Sequence, residues 1–249
     1  MFSIPSRFRA LLLVTLVSAC TAPDPSAVFN DPYEENNRVI HAFNKSLDSA
    51  FLRPSGGVTA TLPDGVTDPI VNFADNAGLP GAVANGVLQA NLEGAAINTL
   101  RFVLNTTLGV GGLLDPASTI GLTEQDTDFG ETLAVWGFDE GAYLEIPVYG
   151  PSTERDAAGR LVDLFLDPLG AVGLPAQVKY GPLARVATLA VRRGDYKDTI
   201  DGLLYDSADS YSQARLVYLQ NRRFELGEAP PAATEIDPFS GDVSLEGFE

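Results

Sequence analysis

The chain has 249 residues, 45 % of them apolar, with 16 Lys+Arg against 33 Asp+Glu and a formal net charge of −17. That is enough apolar material for the core of one or two ordinary domains. The acidic balance argues against a nucleic-acid binder, which needs a basic patch, and against docking on anionic lipid through Lys/Arg clusters. A single Cys and a single His exclude an internal disulfide framework, a multi-cysteine zinc site and a multi-histidine metal site. With 24 Gly and 17 Pro, short elements and frequent turns are expected.

The first twenty residues read as an export leader. Arg7 and Arg9 form a positive n-region, Ala10 to Val17 an apolar h-region, and Ser18-Ala19 a small-residue cleavage site. The h-region is too short to cross a hydrocarbon core, which needs about 20 apolar residues. The lone cysteine follows directly, in Val17-Ser18-Ala19-Cys20, which resembles the lipobox of bacterial lipoproteins. That resemblance implies cleavage before Cys20, diacylation of its thiol and acylation of the new N-terminus. Thr21 in the next position, where Asp would retain the protein, implies sorting to the outer membrane. Residues 1–19 are thus a signal peptide, and 20–30 an Ala/Pro/Ser tether. Beyond it no stretch offers 18 uninterrupted apolar residues, so a conventional membrane-spanning helix is not expected.

Asp31-Pro32-Tyr33-Glu34 has the form of a capping box opening a helix. Tyr33, Ile40, Phe43, Leu47 and Phe51 share one of its faces, and Pro54 closes it. Residues 55–69 read as loop. Short helices are expected at Ile70–Asp75 and Gly81–Gln89, and a longer one at Leu92–Asn105. The apolar arc of the last is too wide for a surface helix, so it is either buried or facing lipid. Asp128-Phe129-Gly130-Glu131 again looks like a capping box, for a helix through Trp136, and Gly137 and Gly141 bracket a turn. Tyr143–Val148 reads as extended, with Pro147 arguing against a central strand. Helices follow near Ala157–Phe165, Leu183–Arg193 and Tyr205–Phe224. The last is expected to pack through Tyr211, Ala214, Val217, Tyr218 and Leu219. Residues 226–249, acidic and without Lys or Arg, read as a disordered tail.

Taken in order, these segments resemble the MlaA lipoprotein family, also called VacJ. The resemblance rests on Asp31-Pro32-Tyr33-Glu34 with Asn37-Arg38, Phe43-Asn44 and Arg53-Pro54, then Asn85-Gly86-Val87-Leu88-Gln89. It continues through Arg101 to Gly109, Gly111 to Ala117, Asp128 to Leu133, Trp136-Gly137, and Gly150 to Thr153 with Arg155-Asp156. It covers roughly residues 31–225. It implies an all-α fold, a ring-shaped bundle of amphipathic helices around a central channel, with few or no strands, lying in the inner leaflet of the outer membrane. The implied function is removal of phospholipids mislocalised to the outer leaflet, beside a trimeric outer-membrane porin and in concert with a soluble periplasmic lipid-carrier protein. The sequence departs from the family at Ser55–Thr61, where many relatives look helical, and at Asp139 and Ala142.

Physics sets what such a passage must supply. Exposing a two-chain phospholipid to water costs on the order of 20 kcal/mol, at about 0.8 kcal/mol per CH₂. Dragging its headgroup through hydrocarbon costs several more. A wet inner wall with an apolar rim lowers both. Asn98, Asn105, Thr106 and Thr107, set among Leu, Phe and Val, are the candidate channel residues. The competing reading is that Asn105 and Thr106 only close the helix before Gly109. Arg101 could meet a lipid phosphate or pair with an acid. Gly137 and Gly141 are candidate hinges, or ordinary turn glycines.

No catalytic residue, metal or cofactor is expected. Gly150-Pro151-Ser152-Thr153-Glu154 lacks the last glycine of a nucleophile elbow, and His41, the sole base candidate, sits among structural-looking residues. Asp126 to Glu131 has its glycine at the wrong position for a calcium loop. No G-x-x-x-x-G-K-[ST] occurs, so the protein would be passive. The alternatives are a structural envelope scaffold and, less favoured, a phospholipid hydrolase.

Overall fold

The computed structural model describes residues 29–165 and 175–228. The signal peptide, the tether with Cys20 up to Val28, and the tail from Ala229 lie outside the described residues. The fold is almost wholly helical. In chain order come α1 (Glu34–Leu47), a π-helical turn (Asp48–Leu52), α2 (Arg53–Thr59), α3 (Asp64–Leu88), α4 (Leu92–Thr107), α5 (Pro116–Thr119) and α6 (Phe129–Val135). Then follow β1 (Tyr143–Ile146), β2 (Gly150–Thr153), α7 (Glu154–Phe165), α8 (Pro175–Asp195), α9 (Lys197–Asp201), a second π-helical turn (Gly202–Asp206) and α10 (Ser210–Glu225). The strands form one antiparallel hairpin, Tyr143 opposite Thr153 and Ile146 opposite Gly150, and β1 stops before Pro147.

The packing closes a circuit. Helix α1 continues through the π turn into α2, α2 lies on α8, and α8 lies on α3. Helix α3 touches α6, α6 packs on α7, α7 meets the hairpin, and β1 returns to α1. Helix α4 backs α3 from outside the circuit, and α10 braces the hairpin.

Several expectations from the sequence are corrected. Asp31 does not cap α1: the cap position is Tyr33, whose side chain does not cap the helix. Instead the Asp31 carboxylate accepts from Asn37 Nδ2 at 2.9 Å, from Tyr211 Oη and from Arg215, joining α1 to α10. Pro54 does not end the helix: α1 runs on through the π-helical turn, and the proline stands just after that turn, at the start of α2. Residues 55–69 are largely helical, not loop. A Cβ added at Gly56 would lie 2.9 Å from Gly194 N, and one at Gly194 would lie 2.6 Å from Gly56 O. This glycine pair lets α2 and α8 touch backbone to backbone; it is not turn punctuation. The two short helices expected at 70–75 and 81–89 are one 25-residue helix, α3, running straight through Pro69 and Pro80. An interior proline costs about 3 kcal/mol, and packing of α3 between α4 and α8 outweighs it. The single helix expected at 205–224 is instead a π turn, a break at 207–209 and α10, whose N-cap Asp209 accepts from Ser212 N–H.

Burial runs opposite to that of a soluble bundle. Among the described residues the buried apolar set has 14 members, half of them alanine, and the buried polar or charged set has 19. Asn98, Asn76, Asn37, Arg101 and Asn105 are almost fully buried, whereas Val39, Phe51, Leu108 and Phe224 are about 70–80 % exposed. The Phe43 and Phe51 face of α1 and the following turn points outward, while Asn37, His41 and Asp48 point in.

Four polar clasps hold the interior. Arg193 forks onto Asp48 at 2.8 and 3.1 Å and also reaches Asp201. Arg222 joins Asp156 to Asp128. Arg101 and Asn105 both bind Asp115, at 3.0 and 2.9 Å. Arg215 binds Asp31. Burial by itself would raise the Asp156 pKa, but Arg222, the Tyr218 hydroxyl and Arg155 together hold it below the usual carboxylate range. Among the described residues no helix is long and apolar enough to cross a membrane.

Candidate functional site

The circuit encloses open space. Cavities of about 570, 540 and 390 Å³ all share Thr127. The first lies between α3, α7 and the hairpin turn, and its wall is mainly small or apolar: Ala77, Gly78, Gly81, Ala82 and Ala84, with Leu161 and Leu164 opposite. The second lies between α3, α8 and the 124–127 segment, with Asp75, Glu124, Asp126, Arg185 and Arg192 on its wall. The third opens between the start of α6 and α10, with Asp126, Asp128, Glu131, Asp156, Arg160 and Arg222. A mainly apolar chamber, with Arg160, Asp163 and Arg185 also on its wall, therefore adjoins two more highly charged cavities.

Helix α3 explains the bore. Its residues 74, 77, 78, 81, 82 and 85 follow helical spacing and all are Ala, Gly or Asn. Small side chains there leave room instead of filling it. At Gly78 and Gly81 an added Cβ would meet nothing within 4 Å. In the charged second cavity, burial raises the pKa of Asp75. Burial, and then the neighbouring Asp75 charge, does the same for Glu124.

Asn98, Asn105, Thr106 and Thr107, the residues singled out from sequence, line none of these three cavities. Asn98 donates to Gln125 O at 2.7 Å and accepts from Gln125 N–H at 3.0 Å. Asn105 donates to Asp115 and accepts from Ala117 N–H. Thr106 Oγ1 accepts from Asn76, and Thr107, on the exposed side, donates to Val103 O. Arg101 pairs with Asp115 at 3.0 Å and Glu124 at 3.5 Å. The polar face of α4 therefore holds the 115–128 segment in place, and that segment presents Glu124, Asp126 and Thr127 to the bore. Gly137 closes α6 with φ +87°, its N–H bonding Ala134 O while Phe138 N–H reaches Leu133 O. That paired pattern is a Schellman ending. Gly141, at φ +74°, packs against Glu154, and between the two glycines Glu140 is forked by Arg223. Cys20 lies outside the described residues.

One arrangement has the order of a hydrolytic triad. His41 Nδ1 lies 3.3 Å from Glu145 Oε1, and its Nε2 lies 3.1 Å from Ser210 Oγ. The same Glu145 also accepts from Asn44 and Tyr143 Oη, and Tyr211 packs edge-on to the imidazole. Ser210 lines none of the three cavities, and the group ties α1 to β1 and α10.

The family model described as MlaA lipoprotein matches residues 29–225. The chain belongs to the MlaA lipoprotein family. The Escherichia coli protein named intermembrane phospholipid transport system lipoprotein MlaA is 33 % identical over 228 residues, 88 % of each chain. Its namesake in Haemophilus influenzae is 31 % identical over 206 residues, 80 % of each. A Rickettsia bellii protein, described as uncharacterized, is 41 % identical over 141 residues, and the chain spans just over half its length, 55 %. A solved structure, reported under "Structural basis for maintenance of bacterial outer membrane lipid asymmetry", superposes with TM-score 0.66 at 31 % identity. That superposition covers 79 % of this chain and 98 % of that one.

The sequence reading missed the α3 stripe, Thr127, Arg160 and Arg185. Small residues at helical spacing were there to be read, but only if α3 is taken as one helix across Pro80.

Proposed function

We propose that this chain is a passive conduit for phospholipid at the outer membrane, taking lipid misplaced in the outer leaflet and releasing it toward the periplasm. Among the observations, the inverted partition of side chains carries this reading. Soluble monomers rarely expose large contiguous apolar patches, yet this chain turns Phe43, Phe51, Val58, Leu100, Val103 and Leu108 outward and keeps asparagines and arginines inside. Such a body suits a leaflet for its exterior and water for its bore. With no helix able to span, among the described residues, it would sit in the periplasmic leaflet, held by acyl chains on Cys20. The lipid's tails would face Leu161, Leu164 and the α3 stripe, and its headgroup the charged ends. Asn98, Asn105 and Thr106 would serve the channel by fixing its 115–128 wall, with Thr107 at its outer edge. Gly137 and Gly141 would let the 138–140 stretch swing if the bore widens. A trimeric porin beside the ring and a soluble carrier at its periplasmic mouth complete the route. The names carried by the E. coli and H. influenzae relatives support the same reading.

The test is a deletion strain in which surface aminophospholipid is labelled with a membrane-impermeant amine reagent. Labelling should rise on deletion, return to normal with the wild-type gene and stay high with Cys20→Ser. Unchanged labelling in the deletion strain refutes the proposal. A hydrolase would answer to the Ser210–His41–Glu145 geometry; fatty acid released from phospholipid by the purified chain, and lost in Ser210→Ala, would establish that reading instead.

A further inference from the structure

Arginine pairing is nearly complete among the described residues, and the exceptions fall in one place. Of the eleven arginines among the described residues, nine stand in ion pairs with carboxylates. The other two, Arg160 and Arg185, have no carboxylate within 4 Å among the described residues. Both line the 570 Å³ cavity. Arg160 reaches it from α7 and Arg185 from α8, and each also lines one of the adjoining cavities. Acids outnumber bases two to one in this sequence, so two guanidinium groups without a carboxylate partner among the described residues are not what a shortage of acids produces.

The local bonding sharpens the point. Arg160 Nη1 is buried and has no hydrogen-bond partner among the described residues. Arg185 makes one long bond, 3.4 Å, to Ala77 O. The carboxylate on the same cavity wall, Asp163, is already held by Asn85 Nδ2 at 2.9 Å and Phe129 N–H at 3.0 Å. Leaving the buried Nη1 of the half-buried Arg160 unsatisfied is costly. Arg185 is exposed, with its guanidinium open to a ligand, and a guanidinium fork matches the two free oxygens of a phosphodiester. Asp126 faces both adjoining cavities, one shared with Arg160 and the other with Arg185, and has no ion pair of its own among the described residues.

Resting on the conduit reading, we propose that Arg160 and Arg185 form a station for the phosphodiester of a zwitterionic phospholipid, with Asp126 receiving the tethered ammonium. The two arginines, on different helices, grip the phosphate from two sides as the acyl chains lie along the α3 stripe. Asp126 then favours a headgroup that carries an amine and disfavours one whose net charge is negative.

The full-length lipidated protein, purified in mild detergent, is titrated with phosphatidylethanolamine, phosphatidylglycerol, diacylglycerol and inorganic phosphate, and binding is read by native mass spectrometry. Phosphatidylethanolamine should bind most tightly. Arg160→Gln and Arg185→Gln should each weaken both phospholipids about ten-fold or more, the scale of one charge-assisted hydrogen bond, and leave diacylglycerol unchanged. Arg→Lys variants should retain part of the affinity, and Asp126→Asn should abolish the preference for the ethanolamine headgroup. The station is refuted if diacylglycerol binds the wild type as tightly as the phospholipids, or if the double Gln variant keeps both. It is also refuted if the Gln variants lose diacylglycerol in parallel, which marks a disturbed fold, or if Asp126→Asn leaves the preference intact. Displacement of lipid by millimolar inorganic phosphate would reassign the pair to a free anion. A wild type that binds none of the three lipids would overturn the conduit itself and not only the station.

Discussion

Two glycines offer a way to block the bore without disturbing the frame. Gly78 lines the first and second cavities and Gly81 the first, and a Cβ at either would project into open space. Trp at each position can therefore enter the passage with no clash at its base. A cavity of roughly 150 Å³ accommodates a benzene-sized ring, so one indole should take up about a third of the 570 Å³ chamber and a pair well over half. The folding cost should be small or favourable, because Trp is about 0.5 kcal/mol better than Gly in a helix interior and Ala about 1 kcal/mol better. Gly78→Trp/Gly81→Trp should melt within a few degrees of the wild type, yet leave surface aminophospholipid at the level of the deletion strain. Gly78→Ala/Gly81→Ala should melt higher and transport normally, since one methyl group barely narrows the chamber. Full function in the Trp pair would show that lipid does not pass between α3 and α7. An unfolded Trp pair would show that the space beside these glycines is not open.

Asp156→Asn removes a buried acceptor shared by Arg222 and Tyr218 and should destabilise the fold by about 3–5 kcal/mol near neutrality. The folded-state pKa of Asp156 is lowered, so its contribution is complete above the ordinary carboxylate range and fades as pH falls through the lowered value. Wild-type and mutant melting temperatures should converge only once the pH is below the ordinary carboxylate range, and a constant gap would contradict the assignment. Ser210→Ala should cost about 1 kcal/mol in thermal melts, release no fatty acid before or after the change, and leave lipid removal intact. Phe51→Asp with Leu108→Asp, two strongly exposed sites, should leave the melting curve unchanged while weakening partition of unlipidated Cys20→Ser protein into vesicles about 100-fold or more, at roughly 1.5–3 kcal/mol per apolar side chain. Equal partition would mean that these faces do not meet lipid.

Residues with a local job were readable in the sequence. Asp128 caps α6 by accepting from Glu131 N–H at 2.7 Å, and Pro147 marks where β1 must stop. Helix α4 stands close to its expected bounds because its signals, Asn91 before and Gly109 after, are sequential neighbours of the helix. The expectations that were corrected depend on partners far away in the chain. Asp31 looks like a cap until Tyr211 and Arg215 arrive from α10. Gly56 looks like a turn until Gly194 meets it across α2 and α8. Proline at 80 reads as a break because its cost is local, whereas the packing that overrides it is not. The site was harder still. Asn98 and Asn105 advertise polarity among apolar neighbours, and that polarity serves a loop; the bore itself is made by small residues, whose signature is missing volume.

The placement of the clasps has a consequence for how the molecule is made. Salt links such as Arg193 with Asp48 can close in water, so the hoop can be finished before any bilayer is present. Its oily coat, however, cannot remain wet for long. On the conduit proposal, whatever escorts the chain across the envelope must cover greasy helix flanks, and changes that degrease those flanks should loosen escort and insertion together while leaving the hoop intact.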